Sequence, residues 1–160
     1  SDYDITDVWD LPADDVLDIQ ITTPPGAKLA HFTIDFFTEK SVEWWLWENV
    51  AINTPGTTIT PRNHRRDAGD NSTLTTKYII NTSIANANSD TAVAGATYLA
   101  HGKTGEAGAK KDTGSGGGAD SREEWIFLPS EDYSLRFFDL GDGGFIAIHL
   151  DWYEHTDKDS

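Results

Sequence analysis

Apolar and polar side chains alternate with a two-residue period through much of this chain. In Leu29–Phe37, Phe32, Ile34 and Phe36 fall on one face while His31, Thr33 and Asp35 fall on the other. That is the pattern of a half-buried antiparallel strand. Three more apolar runs follow near the C-terminus: Arg122–Pro129, Tyr133–Phe138 and Phe145–Glu154. Each is rich in aromatic or β-branched residues and bounded by Pro, Ser, Asp or Gly, which reads as a β-meander. Val42–Glu48 places Val42, Trp44 and Leu46 on one side and Glu43, Trp45 and Trp47 on the other. Both faces of that strand are largely apolar. Trp45 and Trp47 are therefore expected either beneath another layer or exposed as a contact patch.

Weaker strand signals lie at Val16–Ile21, Thr57–Thr60, Leu74–Ile80 and Thr91–Ala100. Asn81–Asp90 reads as a polar loop, and the Gly-rich stretch His101–Asp120 as a long surface loop. The count comes to about eight strands with no helical pattern and no internal repeat. The expected fold is all-β, an antiparallel β-sandwich of jelly-roll-like arrangement with an extended N-terminal arm.

Charge divides the chain further. Residues 1–20 hold Asp2, Asp4, Asp7, Asp10, Asp14, Asp15 and Asp18 and no Lys or Arg, and Pro24-Pro-Gly26 marks a boundary after them. The expected organisation is an acidic arm over 1–27, a sandwich domain over 28–156 and a tail over 157–160. Trp9, Leu11, Val16, Leu17 and Ile19 are more apolar surface than a purely solvated tail needs. The arm is therefore expected to bury them against a partner. A formal net charge of −15 disfavours nucleic acid and anionic membrane as partners and favours a positive protein surface or a divalent cation.

The chain has 160 residues, long enough to bury a core, and no Cys, which excludes disulfides and thiolate chemistry. No stretch approaches the roughly 18 apolar residues of a membrane helix, and the acidic N-terminus lacks the regions of a signal peptide. Ser1 is a residue of the kind that follows a removed initiator methionine. The reading from this is a soluble chain made in the cytosol.

Candidate chemistry is sparse. Gly102-Lys103-Thr104 ends like a phosphate loop, but Thr97 stands where that motif needs Gly. Gly114–Ala119 fits a relaxed dinucleotide fingerprint without the strand and helix that give it meaning. Glu123 and Glu124 are adjacent, so a strand would point them to opposite faces. His149 and Asp151 share a strand face that His31 and Asp35 could join, a combination of metal-ligand types without tight spacing. Asp139–Gly143 offers oxygen ligands but falls short of a calcium loop. No nucleophile elbow appears. No catalytic, cofactor or metal residues are therefore assigned. Arg62, Arg65 and Arg66 form the basic cluster of an acidic chain and are candidates for docking on an acidic surface, with local pairing to Asp67 and Asp70 as the alternative.

The order of pieces then becomes specific. Gly56-Thr-Thr-Ile-Thr-Pro-Arg-Asn-His-Arg-Arg66 is followed by a Ser/Thr strand and a small-residue strand. A Gly-rich loop ends in Ser121-Arg122, and after it come Glu124-Trp-Ile-Phe-Leu-Pro129, Tyr133-Ser-Leu-Arg136 and Asp151-Trp-Tyr-Glu154. Over about residues 30–155 this resembles a family of tailed-bacteriophage capsid decoration, or cement, proteins. Their pattern has a Gly-Thr-x-x-Thr-x-x-Asn-x-Asn-Arg stretch, Glu-Trp-Ile-Leu-Lys-Pro, a Tyr-Leu-x-Arg strand and a terminal Trp-Tyr-Glu. Here His64 and Phe127 replace a common Asn and Leu, and residues 1–27 lie outside the match. The resemblance implies a non-enzymatic virion protein, made in the host cytoplasm, that binds the major capsid protein on the shell exterior as a homo-oligomer, a trimer. Partner contacts are expected at Trp9, Leu11, Val16, Trp45, Trp47, Arg62, Arg65 and Arg66. The alternative is a carbohydrate-binding β-sandwich for host-surface adhesion, with Trp45, Trp47, Trp125 and Trp152 as stacking candidates. A hydrolase or lyase on the same fold would need two carboxylates roughly 5–10 Å apart in a cleft.

Overall fold

A computed structural model describes residues 2–26, 28–67, 71–104 and 124–156, with the side chains of Lys28, His155 and Thr156 excepted. Its plan is that of a long hairpin folded over on itself. The first half supplies β1 (Asp2–Leu11), β2 (Val16–Thr22), β3 (Lys28–Thr38) and β4 (Val42–Glu48). The second half returns as β10 (Thr97–Lys103), β11 (Trp125–Phe127), β12 (Asp132–Asp139) and β13 (Gly144–Thr156). Strand β1 pairs with β13, β2 with β12, β3 with β11 and β4 with β10, all antiparallel. Successive strands of each half alternate between two sheets. The first sheet therefore reads β11-β3-β13-β1, and the core of the second reads β10-β4-β12-β2. Two such four-stranded sheets, interleaved in this order, make a jelly-roll sandwich.

Between β4 and β10 the chain inserts β5 (Ala51–Ile52), β6 (Thr57–Thr58), β7 (Arg62–Asn63), β8 (Thr75–Asn81), helix α1 (Ile84–Asp90) and β9 (Thr91–Ala92). The insertion widens both sheets on the same side. β7 joins the first sheet beside β1, while β8 and then β6 join the second beside β2.

The two-residue period explains the packing. Tyr3, Ile5, Trp9 and Leu11 of β1 face inward with Ile146, Ile148, Leu150 and Trp152 of β13 and Phe32, Ile34 and Phe36 of β3. Opposite them lie Leu17, Ile19 and Ile21 of β2, Leu135 and Phe137 of β12 and Leu46 of β4. A column of stacked rings runs through this core. It passes from Tyr3 to Trp152 (6.1 Å between centroids), Phe32 (4.8 Å), Phe127 (4.4 Å) and Tyr133 (3.8 Å). Burying rings of this size is the largest apolar contribution available to so small a domain. The Tyr133 hydroxyl ends the column by donating to Glu48 Oε2 (2.6 Å) and accepting from the Leu128 amide (2.8 Å).

Two expectations are corrected here. Residues 1–27 are not an arm: β1 lies between β13 and β7 in one sheet and β2 between β12 and β8 in the other. The Asp residues of β1 occupy mostly outward positions, and their charge masked a strand whose odd positions, Asp7 apart, are apolar. Asn81–Asp90 is not all loop, because α1 starts at an N-cap, Ser83, whose side chain accepts from the Asn86 amide. The Thr91–Ala100 segment is divided between β9 and β10. Most of the Gly-rich stretch, and the 157–160 tail, lie outside the described residues.

Candidate interaction face

The two outer surfaces of the sandwich differ in kind. On the second sheet, the outward positions of β12 and β2 are covered by the chain itself, while Tyr98 on β10 stays 55% exposed. Arg136 of β12 is buried there, and its guanidinium is fully engaged. It donates to Asp18 on β2 (2.7 and 3.1 Å), to Asn88 Oδ1 (2.7 Å) and to the carbonyls of Ala87 (3.3 Å) and Thr91 (2.7 Å). Gln20, next outward on β2, donates to the Thr54 carbonyl and Thr91 Oγ1 and accepts from the Gly56 amide. Helix α1 and the β5–β9 ribbon are thus pinned onto the sheet by buried polar side chains. Complete burial pushes the Asp18 carboxyl upward, opposed by Arg136 and the Ser134 hydroxyl.

The outer face of the first sheet has no such cover among the described residues. Its cross-strand rows follow from register. Val8, Ala147 and Phe37 form one row, with Phe145 stacked on Phe37 at 6.0 Å. Thr6, His149 and Asp35 form the next, then Asp4, Asp151 and Thr33, then Asp2, Tyr153, His31 and Ile126. Val8 is 57% exposed, Phe37 53% and Ile126 53%. Carboxylates surround these apolar groups. The result is an apolar patch around Val8 and Phe37, separated from Ile126 by two polar and acidic rows.

At the β1 edge of this face Asp4 is nearly buried. It accepts from Arg62 Nε (3.0 Å) and lies 2.8 Å from His64 Nε2, with His149 Nε2 at 4.0 Å. Burial pushes the Asp4 carboxyl up, but the hydrogen bonds from His64 and Arg62 outweigh it and leave the carboxyl below its ordinary 3.8. The same hydrogen bond raises His64 above 6.5.

The residues expected to make partner contacts are not brought together. Trp9, Leu11 and Val16 are buried in the fold, so they are core strand residues and not contact groups. Arg62 is spent on Asp4, Arg65 lies 3.5 Å from Asp67, and Arg66 donates to the Asn63 carbonyl. Of the local pairing to Asp67 and Asp70 that the alternative expected, Arg65–Asp67 is present, Arg62 instead reaches Asp4 on β1, and Asp70 lies outside the described residues. Trp45 and Trp47 are half-buried. The Trp45 ring is stacked nearly parallel on His101 (5.3 Å, 3°), and Trp47 leans on Tyr98 (5.8 Å, 51°). One face of the Trp45 indole is therefore already occupied. Trp152 is core and Trp125 packs half-buried against it.

The other motifs resolve locally. Gly102 lies in β10 against Trp44, where a Cβ would come within 2.8 Å of the indole nitrogen. Thr104 is buried and its hydroxyl accepts from the Val42 amide (2.9 Å). The Asp139 carboxylate accepts from the Gly141 and Gly143 amides, closing a turn. Among the described residues no group of three His, Asp or Glu side chains is placed to hold a metal ion, although His31, Asp35, His149 and Asp151 do share the bare face. This face was missed in the sequence because its signal is the absence of a covering layer among the described residues. Only Phe37, an aromatic at the outward parity of β3, hinted at it.

The described residues define a jelly-roll domain with one surface partly capped by the chain itself and one uncovered acidic surface that carries an apolar patch. Comparison of the chain with protein-family models, with curated proteins and with solved structures finds no match.

Proposed function

We propose that this protein is a non-enzymatic virion structural protein that binds the outer surface of a phage capsid and stabilises the shell by bridging capsomers. What supports the reading most directly is the contrast between the two sandwich faces. An insertion and a buried ion pair cover the β2–β12 part of one face, whereas Val8 and Phe37 at the middle strands of the other are more than half exposed. A monomer with no partner has no use for such a patch. The surface is broad, which suits a large protein partner more than an enclosed small ligand. The motif order across residues 56–154 points the same way.

In this reading the major capsid protein is the partner and the shell exterior is the location. The protein acts as a closed homo-oligomer, a trimer, which multiplies a modest single-site affinity by simultaneous engagement of several capsomers. The test is pelleting of the purified protein with mature shells lacking their decoration. Saturable binding, with copy number matching a symmetry axis and with shells made more resistant to heat, is the expected result. Absence of binding to such shells, together with retention on a polysaccharide matrix, would replace this reading with a carbohydrate-binding one.

A further inference from the structure

The bare face contains a depression of about 250 Å³. Phe37 and Asp35 of β3 wall one side, Ala147 and His149 of β13 the other, and Thr6 of β1 closes it laterally. Drug-sized ligands occupy pockets of roughly 300–1,000 Å³, so this one suits a single side chain. Its character is uneven in a useful way. The surface is mainly apolar, with an exposed phenyl ring on one wall. Two residues along the same strand face stands Asp35, exposed, whose carboxylate has no hydrogen-bond or ion-pair partner among the described residues.

An apolar trough with one unpaired carboxylate and one aromatic face complements a side chain with a long apolar stem and a planar cationic head. A guanidinium meets both requirements at once, since it stacks on an aromatic ring and forms paired hydrogen bonds with a carboxylate. An ammonium is compact and more strongly hydrated, and it matches only the charge.

The source of the cation follows from the surrounding charges. Asp2, Asp4, Asp10, Asp35, Asp151 and Glu124 all lie on or around this face. A second copy docked face to face would set these carboxylates against each other. Arg65 and Arg66 of the chain are already engaged within their own loop. Among the described residues every arginine already has a partner, so the occupant that fits is a basic chain of another kind. We propose that this depression is a socket for one arginine side chain projecting from the capsid surface, an inference that rests on the decoration reading.

Two measurements on the full-length chain test it. In the first, amide shifts are followed by NMR during titration with N-acetyl-arginine amide, with the lysine and citrulline analogues as comparison probes. Shifts confined to Thr6, Asp35–Phe37 and Ala147–His149, larger with arginine than with lysine and absent with citrulline, are expected. Equal response to lysine, or none to arginine, overturns the socket. In the second, shell binding is compared for wild type, Asp35→Asn and Phe37→Leu, both exposed positions whose variants should retain the wild-type melting temperature. A loss of about tenfold or more in affinity for Asp35→Asn is expected of a central interface residue, and unchanged affinity overturns the proposal. If the arginine probe binds at these residues while wild type ignores shells, the socket stands and the decoration reading falls. Shell binding without any probe response leaves decoration standing and removes the socket. Loss of an oligomer in Asp35→Asn assigns the face to a second copy and also overturns the proposal.

Discussion

Arg136 and Asp18, 118 residues apart in the chain, form a doubly hydrogen-bonded ion pair with side-chain exposures of 3% and 0%. The pair joins β12 to β2, and through Asn88, Ala87 and Thr91 it also anchors the cap. Removing one partner leaves the other charged and buried. Arg136→Ala or Asp18→Asn should therefore cost about 3–5 kcal/mol of stability. Urea unfolding followed by tryptophan fluorescence measures this. The double substitution Asp18→Leu with Arg136→Met should cost clearly less than the sum of Asp18→Leu and Arg136→Met made singly, and an additive result would contradict the coupling.

The N-terminal residues give an equally sharp expectation. Deleting residues 1–22 removes β1 and β2, each paired on both sides in its sheet. The truncated chain should fail to fold, as read by loss of the near-ultraviolet circular dichroism of its aromatic core. A folded, soluble truncation would mean that the arm reading was right after all.

Gly56 is required by close approach. A Cβ there would sit 2.1 Å from the Tyr78 carbonyl oxygen, a backbone atom with little freedom to yield. Gly56→Ala should push the segment leading into β6 off β8, break the bond from the Gly56 amide to Gln20, and destabilise by about 1–3 kcal/mol. A melting temperature within error of wild type would refute this.

Stability should also depend on pH through the β1–β7 contact. His64 is raised, so its contribution is complete below 6.5 and is lost as pH rises through its folded-state value. Asp4 is lowered, so its contribution is present above 3.8 and is lost as pH falls through its folded-state value. Both act together between those limits. His64 is 45% exposed, and solvent screening holds its share to roughly a few tenths of a kcal/mol. His64→Ala should narrow the melting-temperature difference between about pH 5.5 and about pH 8.5, on either side of the ordinary histidine value. A difference equal to that of wild type would show the contact to be silent.

Glu154 closes the far end of the first sheet. It accepts from Ser72, from the amide and hydroxyl of Thr73 (3.2 and 2.9 Å) and from Trp152 Nε1 (2.9 Å). Glu154→Ala orphans these donors beside the core and should cost about 1–3 kcal/mol. Faster proteolysis near residues 72–73 should accompany the loss, whereas unchanged protection there would place the anchor elsewhere.

Strands β3, β4, β12 and β13 were legible because burial of one face writes a two-residue period directly into the residues. β1 carries the same period in Tyr3, Ile5, Trp9 and Leu11, but Asp2, Asp4 and Asp10 at the outward positions drew it toward an arm. Charge at alternate positions is compatible with a strand, and the parity of the apolar residues was the better guide. β2 was harder to place. Asp18 and Gln20 look solvent-facing by composition, and only α1 with the β5–β9 ribbon and the Thr54–Gly56 segment buries them. α1 has a single buried residue, Ala87, so no apolar stripe announced it. The bare face could not be read in advance because each of its residues has the parity of an ordinary exposed strand position.

The pairing of β1 with β13 also governs how the chain is made. Synthesis delivers β1 first and β13 last, and β1 finds its main sheet partner only when residues 144–156 have emerged. The same holds in lesser degree for β2 and β12. With nearly every strand contact spanning a long stretch of sequence, folding is slow, with rates set by closing large loops. Until then the inward faces of β1 to β4 are open apolar edges. The outward Asp2, Asp4 and Asp10 leave the other face of β1 charged throughout that interval.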